Sequence, residues 1–294
     1  MILALWGGAF TALDAQDLLP LDLPGVEVKP LRSLVDTALQ NDLFHELSAI
    51  PGWSAMIRSK KLAVGLVDLR DPFNARFARV NGNEMMYAAS LPKIAILLAA
   101  VDAFEKGELM ETGRVMQDLH AMIRYSNNQA STRLIDLLGY DKIEEVLTDP
   151  RYEFYDEEYG GGLWVGKRYA ASGARHPDPI KGLSHAATVS QVCRFYYLMA
   201  YGELVNRVRS KQMMEIMTSP ALYHKFVHTL KQVAPRAKLY RKSGSWRTYH
   251  SDSVMVWGEN PNRRYILVAL ADSPNGEQII RRVVRVVEKV LEIQ

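Results

Sequence analysis

Ser90 and Lys93 stand three apart in Ser90-Leu91-Pro92-Lys93, Ser126-Asn127-Asn128 follows, and Lys242-Ser243-Gly244 comes toward the far end of the chain. In that order the motifs supply a hydroxyl nucleophile, a neighbouring amine, a second hydroxyl and a second cation, the groups a serine enzyme needs to transfer an acyl group. A Ser-x-x-Lys spacing alone is expected about once by chance in an ordinary chain of this size, and Lys-Ser-Gly is a common turn. The order and local setting of the three give the pattern its weight.

Ser90 follows Ala88-Ala89 and precedes Leu91-Pro92, so it is expected at the N-terminus of an apolar helix, where proline is tolerated in the first turn. Residues three apart share a helix face, which brings Lys93 back over Ser90, and a helix N-terminus favours negative charge developing nearby. An amine held in a dry site beside other cations can be neutral near pH 7 and act as base for the hydroxyl. The plainer reading is a serine cap with a solvated lysine.

Ser126-Asn127-Asn128 interrupts a strongly helical pattern. Either it is a kink or helix restart, because Ser and Asn bond local backbone readily, or Ser126 relays a proton and Asn128 aims an amide at Lys93 and a substrate carbonyl. Lys242-Ser243-Gly244-Ser245 falls in an aromatic stretch that suits an edge strand. There Gly244 would let a substrate backbone come close, and Ser245 could give its backbone N–H, with that of Ser90, to an oxyanion, a donor worth about 3 kcal/mol in comparable sites. A surface turn is the bland alternative. Trp246 and Arg247 offer a flat apolar contact and a guanidinium able to pair a carboxylate, or are surface residues of that strand.

These groups must be positioned by the rest of the chain. Residues 30–50 carry helical periodicity and stop at Pro51-Gly52; strands are expected over 62–69 and 76–80. Near the other end, 253–257 and 265–271 form a hairpin, and an amphipathic helix runs over 277–293. Helices are predicted between them at 91–104, 115–138, 187–202 and 210–217. The pattern is best met by an α+β fold: one antiparallel sheet built from both chain ends, with flanking helices and an inserted all-helical lobe. Residues 30–294 then form one catalytic domain, its α/β lobe spanning about 30–86 and 236–294 and its helical lobe about 87–235. Residues 148–183 look least regular and are expected to be a long, functional or mobile loop.

Composition narrows the options. The chain has 294 residues, 48% hydrophobic and 23% charged, with a net charge of +3 and no run of five or more Lys and Arg, the composition of an ordinary globular chain without a nucleic-acid footprint. Cys193 is the only cysteine. It rules out an internal disulfide, makes cysteine-based metal sites improbable, and is expected in a buried core. The apolar start, residues 1–12, is too short to span a bilayer; residues 1–29 are read as the remnant of a secretion signal on a periplasmic or secreted protein, the other reading being a frayed terminus of a cytoplasmic one.

Taken together, Tyr87-Ala88-Ala89-Ser90-Leu91-Pro92-Lys93, Ile123-Arg124-Tyr125-Ser126-Asn127-Asn128-Gln129-Ala130 and Arg241-Lys242-Ser243-Gly244 with Ser253-Val254-Met255-Val256-Trp257 resemble the penicillin-recognising serine enzymes, and most closely their class A β-lactamase branch. The resemblance runs from about Pro30 to the C-terminus and implies the β-lactamase/transpeptidase-like fold. It implies a monomer acting on a small β-lactam or peptide-like acyl donor with no metal or organic cofactor. Ser90 would attack the carbonyl, Lys93 would act as base, and Ser126 would protonate the leaving nitrogen. Asn128 would hold substrate, Lys242 and Ser243 would meet its carboxylate, and Ser90 and Ser245 would form the oxyanion hole.

The sequence departs from that family in two places. The loop Glu that activates deacylating water, with an Asn four residues later, has no counterpart, since no Asn occurs over 135–205. Glu153, Asp156, Glu157 and Glu158 are the acids of the corresponding region, as bases or as a solvated acidic loop. The interval between Lys93 and Ser126 is also short, which opens the cleft, and Trp246 and Arg247 could stand in for the missing wall. A D,D-peptidase, an esterase or a non-hydrolytic acyl-binding relative are therefore the alternatives to a β-lactamase. Elsewhere, His224 and His228 have the spacing of ligands on one helix face but lack an acidic or cysteine partner, and Gly160-Gly161-Gly162 lacks a phosphate-loop ending and reads as a flexible turn.

Overall fold

The computed structural model describes residues 18–293; the apolar run 1–12, expected to be a signal remnant, lies outside them. Alternation along the strands sets the architecture. In β1 (Leu62–Asp68), Leu62, Val64 and Leu66 face one core while Ala63 and Val67 face another, as a period of two requires. With β2 (Arg76–Val80) and three strands from the far end, β8 (Lys238–Trp246), β9 (Tyr249–Trp257) and β10 (Arg264–Asp272), β1 forms a five-stranded antiparallel sheet in the order β2-β1-β10-β9-β8. The two chain ends meet in the β1–β10 register, from Leu62 opposite Ala271 to Asp68 opposite Tyr265. β8 is the edge strand expected for the third motif.

One face of the sheet is covered by α1 (Thr37–Ser48) through Leu39, Leu43 and Leu47, and by the last helix, α10 (Gly276–Val290), through Ile279, Ile280, Val283, Val284 and Val287. Against the other face packs α7 (Val189–Tyr201), which joins the sheet to the helical lobe. At the centre of that lobe runs α3 (Lys93–Glu105). Every residue of α3 except Glu105 is buried, as befits a helix apolar on all sides, and each buried Leu or Ile contributes about 1.5–3 kcal/mol. Around it lie α4 (Gly113–Arg124), α5 (Asn128–Leu138), α6 (Tyr140–Thr148) and α8 (Arg207–Met217). Short helices α2 (Trp53–Arg58) and α9 (Phe226–Val233) complete the set.

The structure differs from the sequence expectations at three elements. The 30–50 helix is a short 3-10 turn, Leu31–Leu34, followed by α1, because Val35 bridges Phe77 of β2 and Asp36 then caps α1 by accepting from the Leu39 N–H at 2.8 Å. The 115–138 helix is two helices. Residues 148–183 are not a structureless loop: β4 (Tyr155–Asp156) pairs with β5 (Gly161–Gly162), and β6 (Trp164–Val165) joins β7 (His185–Ala187) and β3 (Met86–Tyr87) in a small sheet. Strands of two residues leave no periodicity to read. The Gly160-Gly161-Gly162 turn is closely packed: Gly160 and Gly161 take left-handed φ, and a side chain at Gly160 or Gly162 would strike the carbonyl of Asn83 or Phe154.

Candidate active site

The nucleophile turn comes first along the chain. Ala89 adopts φ 51°, and Ser90, Leu91 and Pro92 form a tight turn with Lys93 N–H donating to Ser90 O at 3.4 Å and Ala95 N–H to Pro92 O at 2.9 Å. The α-helix proper therefore starts at Lys93, with Pro92 as its N-cap, so Ser90 precedes α3 by one 3-10 turn.

The second motif divides its labour. Ser126, at φ 57°, sits between α4 and α5. Asn127 restarts the chain as N-cap of α5, accepting from the Ala130 N–H at 2.8 Å. That frees the neighbours: the fully buried Lys93 ammonium donates to Ser126 O at 2.7 Å, to Asn128 Oδ1 at 2.8 Å and to Ser126 Oγ at 3.4 Å. Burial pushes Lys93 down to about 7, so both the ammonium and the free amine exist near neutrality.

The third motif arrives from β8. Lys242, 1% exposed, donates to Ser126 Oγ at 2.9 Å and to Ser243 O at 2.8 Å. Burial holds it well below the ordinary lysine range, and the charges of Lys93 and Arg241 push the same way. Ser126 Oγ thus lies between two amines, a chain along which a proton can pass. Gly244 makes room for this chain's own backbone. A side chain there would come within 2.4 Å of Ala88 O and Ser90 N, so the glycine admits the Ser90 turn itself, setting Ser245 beside Ser90.

Ser90, Asn128, Ser245, Trp246 and Arg247 line one cavity of about 640 Å³, with Lys93, Ser126, Lys242 and Ser243 in the hydrogen-bonded layer around it. With Gly244 against the Ser90 turn, all ten residues assigned roles from the sequence lie in or around this cavity. Trp246 is 56% exposed and Arg247 packs on it, 5.8 Å from the ring centre.

The acidic candidates are not there. Asp156 pairs with Arg32 at 3.0 Å, Glu153 with Arg194 at 3.7 Å, and neither they nor Glu157 and Glu158 line the cavity. Among the described residues no carboxylate lines it. From the 148–183 stretch Tyr169 reaches the turn before the nucleophile: its hydroxyl donates to Ala89 O at 3.3 Å and its ring centre is 4.4 Å from the Lys93 nitrogen. Its half-buried phenol is held well above the ordinary tyrosine range by desolvation, so it stays protonated. Behind Tyr169 lies His185, 4.3 Å away ring to ring. Burial drives His185 down to about 4, with the charge of Lys93 a smaller influence. His224 and His228 do not share a helix face, since α9 begins only at Phe226.

Sequence reasoning missed Tyr169, His185 and a buried group beneath the third motif. Arg241 and Asp252 form a bidentate pair at 2.7 and 2.9 Å, and Asp252 also accepts from the Phe226 N–H at 3.0 Å. Lys225, fully buried and at φ 54°, donates to Gly244 O and, at 3.0 Å, to Ser251 O. The Ser251 hydroxyl donates to Ala88 O at 2.7 Å.

The five-stranded antiparallel sheet with its flanking helices is the β-lactamase/transpeptidase-like fold. A sequence model of the beta-lactamase enzyme family matches residues 112–291, and the chain belongs to that family, a serine hydrolase. Among solved structures, a beta-lactamase from Sphaerobacter thermophilus DSM 20745 superposes with a TM-score of 0.66 at 16% identity, covering 86% of this chain and 98% of that one. PBP-A gives 0.64 at 19%, covering 91% and 100%, and the TLA-1 extended-spectrum beta-lactamase 0.63 at 14%, covering 88% and 99%. At these identities the likeness is one of fold. No curated protein matches the sequence.

Proposed function

We propose that this hydrolase opens β-lactam rings through an acyl-enzyme on Ser90 and releases the product slowly. The observation that carries the reading is Ser126 Oγ held between Lys93 at 3.4 Å and Lys242 at 2.9 Å, around the cavity that Ser90 lines. Ser90 Oγ attacks the lactam carbonyl carbon as its proton passes to the free amine of Lys93. The carbonyl electron pair moves onto oxygen, facing the backbone N–H groups of Ser90 and Ser245. When that pair returns, the C–N bond breaks, and the ring nitrogen takes a proton from Ser126, resupplied by Lys93. Asn128 holds the acyl side chain, and Lys242 with Ser243 meets the ring carboxylate. Trp246 and Arg247 border the substrate at the mouth.

Hydrolysis of the ester then needs an activated water. With no carboxylate lining the cavity among the described residues, and a protonated Tyr169 beside Lys93, the base for this step has no strong candidate. The same observation favours a second reading, a D,D-peptidase or acyl-trapping relative that acylates readily and turns over little.

Time-resolved intact-mass spectrometry with a penicillin and a cephalosporin, beside a steady-state hydrolysis assay, tests both. A Ser90 adduct that forms in seconds and decays over minutes or longer supports slow β-lactam hydrolysis. A permanent adduct supports the second reading. Absence of any adduct overturns the choice of β-lactams as acyl donors. An exported location goes with this substrate class, and cell fractionation checks it.

A further inference from the structure

Lys225 is the largest commitment of charge that the acyl-transfer scheme leaves unused. Its side chain is fully buried, its backbone is held at φ 54°, and its ammonium ends between two strands, on Gly244 O of β8 and Ser251 O of β9. A positive φ on a residue with a long side chain is strained and persists where the surroundings impose it. A buried ammonium costs more still unless it is well hydrogen-bonded. A hydrocarbon side chain would fill the same space without that cost, so the charge itself calls for an account.

The partner carbonyl supplies one. Gly244 C=O and Ser245 N–H belong to one peptide unit, and the chain has no cis peptide bonds among its described residues. In a trans peptide the N–H points opposite to the C=O. Gly244 O faces Lys225 and the β9 side, so the Ser245 N–H points the other way, toward the free edge of β8, where Ser245 and Ser90 line the cavity together. A cation on the carbonyl oxygen draws electron density from the peptide nitrogen and strengthens its N–H as a donor. The second donor is tied to the same point, because Ser251, whose carbonyl takes the other Lys225 bond, donates through its hydroxyl to Ala88 O in the Ser90 turn at 2.7 Å.

We infer that Lys225 is a positioning residue that polarises the Gly244–Ser245 peptide from behind and so strengthens the oxyanion hole. This rests on the acyl-transfer reading of Ser90 and Ser245. Burial lowers Lys225 to about 8, which leaves it mostly protonated at neutral pH. Among the groups facing it, Asp252 and Glu277 favour the charged form and Arg241 opposes it.

The test compares the wild type with Lys225→Met, which keeps the bulk and drops the charge, and Lys225→Arg, which keeps the charge. Each is reacted with benzylpenicillin and with a fluorophosphonate, whose P=O develops charge in the same hole. The expected result is a fall of about tenfold or more in the limiting acylation rate of Lys225→Met, with the apparent binding constant moved less than threefold, and most of the rate restored in Lys225→Arg. Infrared difference spectra of the Ser90 ester should show its carbonyl stretch at higher wavenumber in Lys225→Met, a change that looser packing alone would not produce without broadening the band. If Lys225→Met does not fold, Lys225→Gln makes the same comparison. A folded, uncharged variant that acylates at the wild-type rate with an unmoved carbonyl band overturns the proposal. A wild type that takes the fluorophosphonate but not penicillin strikes the β-lactam reading alone, and the Lys225 comparison then stands on the fluorophosphonate rates.

Discussion

A methyl group on Gly244 would lie 2.4 Å from the backbone nitrogen of Ser90. The Cβ position is fixed by the backbone and the nitrogen is itself backbone, so neither can rotate away, and accommodating a side chain means pushing the Ser90 turn off β8. Gly244→Ala should destabilise the protein by about 1–3 kcal/mol, the usual cost of overpacking, and lower acylation of Ser90 much further. Thermal unfolding and adduct formation by mass measure the two effects; wild-type values for both would mean that β8 and the turn are not in contact.

Acylation should depend on pH through Lys93. Its pKa is lowered to about 7 by burial, and only the free amine can take the Ser90 proton. The limiting acylation rate should therefore fall as pH drops below about 7, tenfold per unit once Lys93 is mostly protonated. Lys93→Met should lose a factor of 10² to 10⁴, the range for a positioned general base, and should lose the acid limb. An unchanged pH profile in that variant would remove Lys93 from the role of base.

Asp252 and Arg241 make a buried bidentate pair, 0% and 3% exposed. Removing one partner strands the other charge, which costs about 3–5 kcal/mol. Asp252→Ala should lose stability on that scale in urea unfolding, with the start of α9 disturbed, since Asp252 also accepts from the Phe226 N–H.

The single thiol should be silent in the native protein. Cys193 is fully buried in α7 and pushed far up by burial, and only the thiolate reacts. A disulfide reagent should label it only after denaturant is added; rapid labelling of the folded protein would place the thiol outside the core.

The sequence made the reacting groups legible because each motif is local: Lys93 reaches Ser126 and Asn128 through a turn and a helix start that both leave recognisable residues. Ser126-Asn127-Asn128, open between a restart and a relay, restarts the helix through Asn127 while Ser126 and Asn128 accept from Lys93. Lys225 could not be read, because the carbonyls that hold it lie 19 and 26 residues away in two different strands. Tyr169 was hidden for a related reason: its stretch folds into two-residue strands whose order comes from contacts, not periodicity. Read as one helix, residues 30–50 failed at Val35 and Asp36, where a bridge to β2 and a cap override an apolar pattern.

The sheet pairs Leu62 with Ala271, and that pairing has a consequence for biosynthesis. On the ribosome β1 and β2 emerge well before β10, the strand that must lie beside β1. Closing so long a loop is entropically costly and slow, and until then a hairpin with one open edge waits beside a growing helical lobe. Nascent chains arrested before β10 should therefore be aggregation-prone and protease-sensitive whatever helix they contain, and Ser90 should acquire its reactivity only after β10 has emerged.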